Sequence, residues 1–341
     1  MIKAITVTAC ALAAALSLST AASAQEVKLT FADQNSPTGW GPAHALYPWV
    51  KQVEEASNGR IKIEVFPSQT LIKGLDMWKG VKAGIADIGW CVQGYWPEQT
   101  PLSDVFSLPF LPIKTAEQGS EMAWKVYEKF PAVQKEYGDI MPIVLYMSSP
   151  NFMLSRKPVK SLEDMKGLKI RTLGGPPTEM AKALGMVPTL IPMPDMYQSL
   201  DKGVVDAGIT PWEAVQGFRL YEVAKNVTIA PFYTSYFSLC ANRQKIQSIP
   251  KDLRDILLSK SGLQGAKFWG KEFFDSAEGG VMERVKAGNY ELNRYDATPA
   301  DLAKWSDVAG KPLWDEWVKK MEGKGHKEAR DVLNATLELL K

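Results

Sequence analysis

The 341-residue sequence predicts an α/β protein of two domains, each a mixed sheet flanked by helices. Strands and helices alternate near the start. Apolar alternation marks strands at Val27 to Ala32, Arg60 to Phe66 and Ile85 to Trp90, with helical patterns between them. The same alternation returns past residue 150, with strands at Lys169 to Thr172, Val187 to Ile191 and Val204 to Gly208. Chain length and an apolar content of 45% supply two hydrophobic cores.

The first 24 residues stand apart. Lys3 opens them, an Ala/Leu/Val run follows, and Ala22-Ser23-Ala24 forms a cleavage site before Gln25. This is a secretory signal peptide, excluded from the fold. Cys10 lies inside the apolar run rather than after it, so no lipid anchor is expected.

The first domain is read as 25–150. Its opening strand leads into the turn-rich loop Asp33 to Pro42, which carries Trp40. The helix that follows reaches about Ala56 and contains Pro48, which must kink it or mark its first regular turn. Leu75 to Ala83 is a helix, and Ile85 to Trp90 runs into Cys91-Val92-Gln93-Gly94-Tyr95-Trp96. Thr115 to Lys129 is a helix, Met141 to Tyr146 a strand, and Asn151 to Ser155 another beyond the first crossing between domains.

The second domain is read as 151–240. Ser161 and Asp164 have capping-box spacing. Gly174-Gly175-Pro176-Pro177 turns the chain from a strand carrying Arg171 into a helix that Gly185 closes. A guanidinium at a strand's end, beside a helix N-terminus, suits a carboxylate. Thr234 to Ala241 returns the chain to the first domain, with about 241–265 following it there. Residues 250–290 are mostly helical, too long for one ordinary helix, with breaks expected at Gly262 or Gly279-Gly280. Residues 291–341 form C-terminal helices whose Trp305, Trp314 and Trp317 serve packing. No internal repeat is evident.

Several function classes are excluded or disfavoured. The formal charge is +2, and +1 once Lys3 leaves with the signal peptide, so nothing draws the chain to nucleic acid. No C-x-x-C or His/Cys cluster argues for a metal, and no cofactor is expected. No G-x-S-x-G, H-E-x-x-H or phosphate-cradling loop argues for an enzyme. Cys91 and Cys240 sit in apolar strands and are expected to be free thiols. His44 is read as structural and His326 as solvated.

The motifs G-L-K-I-R-T and P-x-x-x-Y-x-x-L-x-x-G-V-V-D-A resemble the solute receptors of tripartite ATP-independent periplasmic (TRAP) transporters, of the DctP type. Ser57 to Leu71, Lys82 to Gly89, Val159 to Arg171 and Leu220 to Thr228 match that family in order. The resemblance implies a two-domain periplasmic binding protein fold with a long helix spanning both domains. It implies a receptor in the periplasm that serves TRAP membrane subunits and is not itself membrane-embedded. It further implies that Arg171 clamps a ligand carboxylate.

Ligands of open α/β sheets lie beyond the carboxyl ends of strands. The loops there nominate Trp40, Trp90, Gln93, Arg171, Thr210, Trp212 and Glu213, with Asn151 at the crossing. Many family members carry an Asn where Thr210 stands, which weighs against a typical C4-dicarboxylate. One Arg among aromatic walls favours a monocarboxylate with an apolar or aromatic body. A 2-oxo or 2-hydroxy acid, a C4-dicarboxylate, or presentation of ligand to a sensor are the alternatives. A monomer is expected, with a dimer as the alternative.

Overall fold

The computed structural model describes residues 26–138 and 140–341, so the signal peptide lies outside the described residues. Strands β1 (Val27–Ala32), β2 (Ile61–Phe66), β3 (Ile88–Val92) and β4 (Ile140–Met147) build the first lobe. Strands β5 (Asn151–Ser155), β6 (Lys169–Thr172), β7 (Val187–Leu190), β8 (Ala207–Thr210) and β9 (Asn226–Tyr233) build the second. Strand β10 (Tyr236–Asn242) returns to the first sheet and β11 (Asn293–Asp296) joins the second. The sheet orders are β2-β1-β3-β10-β4 and β11-β9-β5-β8-β6-β7. Both sheets are mixed. In each, three parallel strands come from strand–helix–strand units, and antiparallel strands flank them on one side.

The local expectations hold in most places. Pro48 sits in the first turn of the Tyr47–Ala56 helix, after a π-helical turn at Pro42–Leu46, so it starts the regular helix rather than kinking it. Ser161 and Asp164 form a reciprocal capping box. The expected long helix is a bent series. It breaks at Gly262 (φ +61°), runs through Gly262–Gly270, loosens into a π-turn at Lys271–Asp275 and continues as Ala277–Ala287. Gly279 and Gly280 do not break it. Its first part packs on the Ala116–Lys129 helix and β4 of the first lobe, and its last part on the Trp212–Gly217 helix of the second.

Two readings need correction. Cys91 and Cys240 form a disulfide, with Cα atoms 6.0 Å apart. They lie on neighbouring antiparallel strands, where Cys91 faces Ser238 and Cys240 faces Gly89. Positions 149 residues apart gave no sign of that adjacency in the sequence. The chain also carries a repeated unit. Asp76-Met77-Trp78 through Gly84-Ile85-Ala86-Asp87-Ile88-Gly89 has the same spacing as Asp195-Met196-Tyr197 through Gly203-Val204-Val205-Asp206-Ala207-Gly208. Each copy is a 3-10 turn, a six-residue helix, a left-handed glycine and a strand. In each, the Asp side chain accepts from a neighbouring strand's backbone N–H: Asp87 from Thr30 at 2.9 Å, Asp206 from Lys169 at 3.2 Å.

Connections cross between the lobes at Ser148 to Pro150, at Thr234-Ser235, along the bent helix, and after β11, from where the C-terminal helix Ala329–Leu339 reaches the Ala116–Lys129 helix of the first lobe. The first two are tied together. Ser148 N–H donates to the Ser235 carbonyl at 2.8 Å, and Ser235 N–H donates to Ser148 Oγ at 2.9 Å.

Candidate ligand-binding cleft

The two sheets turn their carboxyl ends towards each other around a small cavity lined from both lobes. Arg171 dominates it. Strand β6 is the penultimate strand of its sheet, so Arg171 is held by β7 on one side and β8 on the other. Its side chain is only 2% exposed. Nε donates to the Ile191 carbonyl at 2.7 Å, which fixes the plane of the guanidinium. Among the described residues no carboxylate pairs with it. A buried, unpaired cation is costly, and an arriving anion relieves that cost.

Tyr95 comes from the opposite lobe. Its hydroxyl accepts from the Met193 N–H at 2.7 Å, joining the lobes beside the guanidinium. Burial raises the Tyr95 pKa, while the Arg171 charge pulls it down. The lobes also meet where Gly174 N–H donates to the Gly94 carbonyl at 2.8 Å. A Cβ on Gly174 would come within 2.8 Å of Pro97 and 3.0 Å of the Gly94 carbonyl, so this contact needs glycine.

The walls are aromatic and aliphatic: Trp90, Val92, Leu173, Met193, Phe218 and Phe237. Trp90 stacks on Phe237 with ring centroids 4.9 Å apart, and its indole N–H donates to the Tyr146 hydroxyl. The lining also includes a group of the opposite kind. Glu213 lines the cavity from the first turn of the helix after β8, is 6% exposed and has no hydrogen-bond partner among the described residues. Burial, reinforced by the charge of Asp33, raises its pKa to about 8. Asp33, at the end of β1, is 1% exposed, and burial raises its pKa to about 7 despite hydrogen bonds from Asn35.

The residues expected at the site fall into two groups. Arg171, Trp90 and Glu213 line the cavity. The others stand behind or beside it. Gln93 donates to Ser238 at 2.6 Å and leaves Oε1 buried and unpartnered. Thr210 is fully buried in β8 with its hydroxyl unpartnered. Asn151 braces the crossing, accepting from Ser148 at 3.0 Å and donating to Ser235 at 2.8 Å. Ser235 is the member of that trio that reaches the cavity. Trp212 packs on Phe152 (centroids 4.2 Å apart). Trp40 stacks on His44 and donates to Ser276 at 2.9 Å, outside the cleft. Both tryptophans follow strand ends as expected, but their rings turn into lobe packing. Tyr95 belongs to a strand-end loop expected to face the cleft, whereas Met193, Phe218, Phe237 and Asp33 were not among the expected residues. Of these, Asp33 and Met193 carried a signal, each in a loop at a strand's carboxyl end.

The family model for "Bacterial extracellular solute-binding protein, family 7" matches residues 34–320. The fold is similar to a TRAP solute-binding protein from Rhodoferax ferrireducens in complex with benzoate, with a TM-score of 0.85 and 26% identity over 92% of this chain and 97% of that one. It is equally similar to a marine metagenome TRAP solute-binding protein specific for aromatic acids, in complex with 3-hydroxybenzoate. There the TM-score is 0.86 and the identity 26% over 93% of this chain and 98% of that one. The 2,3-diketo-L-gulonate-binding periplasmic protein YiaO of Escherichia coli is 25% identical over 84% of each chain.

Proposed function

The chain belongs to family 7 of the bacterial extracellular solute-binding proteins, as a TRAP-type solute receptor and not an enzyme, and from that premise we propose that it captures an aromatic monocarboxylate. The family is one of extracellular solute-binding proteins, which supports a location outside the cytoplasm, in the periplasm. Among the described residues no helix is long and apolar enough to cross a membrane.

The observation that carries the ligand reading is the buried Arg171, unpaired, facing a cavity walled by Trp90, Phe218 and Phe237. The ligand carboxylate pairs with the guanidinium's free N–H groups while Nε stays on Ile191. The ring lies between the aromatic walls. Among the described residues Arg171 is the only basic one lining the cavity, and Glu213 shares it. A second ligand carboxylate would therefore meet no cation and a carboxyl instead, which disfavours dicarboxylates. Ligand contacts to both lobes favour the closed arrangement, and a ligand shifts that balance only by its differential affinity for the two states. The closed receptor then hands the acid to the TRAP membrane subunits.

Calorimetry with benzoate and related acids tests this. Arg171→Ala should cost at least about 2 kcal/mol of binding, roughly thirtyfold, because a charge-assisted pair is lost. Unchanged affinity in a folded variant would sink the assignment. A dicarboxylate binding more tightly than any aromatic acid would overturn the choice of ligand.

A further inference from the structure

The cavity is lined by both a cation and a carboxyl, and a ligand carboxylate uses only the cation; these two groups define its two poles here. Arg171 and Tyr95 mark the first. At the second, Glu213 from one lobe lines the cavity, with Asp33 from the other lobe buried close enough for its charge to act on Glu213. Asp33 Oδ1 accepts from the Asn35 backbone N–H at 3.0 Å and from its side-chain amide at 2.8 Å. Asp33 Oδ2 is buried with no partner. Neither carboxyl has a basic partner among the described residues. Two buried carboxyls without a cation are an unusual expense. A plain hydrocarbon ring would leave the Glu213 oxygens desolvated and unbonded on closure. A ring hydroxyl would satisfy them.

Resting on the aromatic-acid reading above, we propose that Glu213, backed by Asp33, selects acids that carry a hydroxyl on the part of the ring away from the carboxylate. The ring O–H donates to a Glu213 carboxyl oxygen while Arg171 holds the other end. No bond is made or broken. The gain is discrimination: a site built to hydrogen-bond a hydroxyl rejects the analogue that lacks it far more strongly than an apolar pocket does. Closure completes each pole, because Arg171 and Glu213 belong to one lobe while Tyr95 and Asp33 come from the other. The acidic pole therefore reads ligand identity only in the closed form.

The test is calorimetry with benzoate, the three monohydroxybenzoates, phenylacetate and its 3- and 4-hydroxy derivatives. Each is titrated into the unaltered protein and into Glu213→Gln, Glu213→Leu and Arg171→Ala, with melting curves confirming that the variants fold. The readout is the ratio of each hydroxylated acid's affinity to that of its parent. We expect the best hydroxylated acid to exceed its parent by about tenfold or more in the unaltered protein. That ratio should fall to near one in Glu213→Leu. It should survive in part in Glu213→Gln, whose Oε1 still accepts. A ratio near one in the unaltered protein, or a ratio that Glu213→Leu leaves intact, overturns the inference while Arg171-dependent benzoate binding leaves the broader reading standing. If no acid binds, and Arg171→Ala behaves as the unaltered protein does, both fail together.

Discussion

The two lobes are built on the same strand–helix–strand module and differ in what hangs from its ends. In both, a Met at the start of the short helix rests on a glycine of the following strand: Met77 on Gly89, Met196 on Gly208. In both, an Asp just before that strand bonds the backbone of its neighbour. The cleft ends diverge. The second lobe supplies the cation, Arg171, and the first supplies Tyr95 and the buried Asp33. The first lobe also has a disulfide between β3 and β10, while the described residues of the second contain no cysteine. Scaffold and chemistry are therefore separable here. The module holds the strand ends in place, and the residues around those ends differ between the lobes.

The disulfide is the largest difference to remove. It joins residues 149 apart in sequence, and the loop it closes contains strands β5 to β9 of the second lobe. Cys91→Ser with Cys240→Ser should therefore lower stability by about 2–4 kcal/mol, the usual scale for a native bridge. Because both cysteines are fully buried in the sheet, the loss should fall on the first lobe. Hydrogen exchange would show β3 and β10 opening earlier while β6 and β8 keep their protection. Equal loosening of both lobes would mean that they unfold as one unit and that the comparison has no energetic content.

Next in size is the effect of pH. Glu213 ordinarily titrates at 4.5 and here at about 8; Asp33 moves from 3.8 to about 7. A folded-state pKa above the unfolded one means that the folded chain keeps a proton the unfolded chain has released. Stability from these groups is complete below the unfolded values and is lost as pH rises through the folded ones. One such proton costs about 1.4 kcal/mol per pH unit, so roughly 3 kcal/mol over two units. The ligand-free protein should melt several degrees lower at pH 7.5 than at pH 5.5. Asp104 and Glu136, buried in the first lobe, push the same way. Tyr47 and Tyr146 also feel Asp33, but burial raises both away from this window. The decisive measurement is therefore the difference between variants. Asp33→Asn and Glu213→Gln should each flatten the slope, and an unaltered slope in both would place the buried acidity elsewhere.

Much of this division was legible in the sequence, for identifiable reasons. The period-2 runs and the Gly-Gly-Pro-Pro turn located β6, and position on that strand located Arg171. The capping box at Ser161 and the start at Pro48 are local chemistry and hold without tertiary help. What escaped depended on contacts between distant segments. Trp40 and Trp212 follow strand ends as ligand-facing residues do, yet a large ring goes wherever it buries most area, and here that is His44 and Phe152. Asn151 lies near the cleft but spends its amide on Ser148 and Ser235. Asp33 reads as an ordinary turn acid until the second lobe closes over it. The repeat was hidden because few identities survive between its copies, although the spacing is the same throughout.

The smallest expected effect tests the shared module itself. A Cβ built on Gly89 would lie 2.7 Å from Val81 Cγ2 and 2.8 Å from Met77 Sδ. One built on Gly208 would lie 2.3 Å from Met196 Cε and 3.3 Å from its Sδ. The second clash is nominally closer but involves the free end of a flexible side chain, which rotates away cheaply. The first involves a β-branched residue with one favoured rotamer in its helix, where relief requires the helix itself to move. Gly89→Ala should therefore cost about 1–2 kcal/mol, in the overpacking range, and Gly208→Ala less than about 1 kcal/mol. Paired urea titrations would measure both. Equal costs would mean that the two helices yield alike, and a larger cost at Gly208 would mean that Met196 is held more firmly than Val81 and that the module is the stiffer in the second lobe.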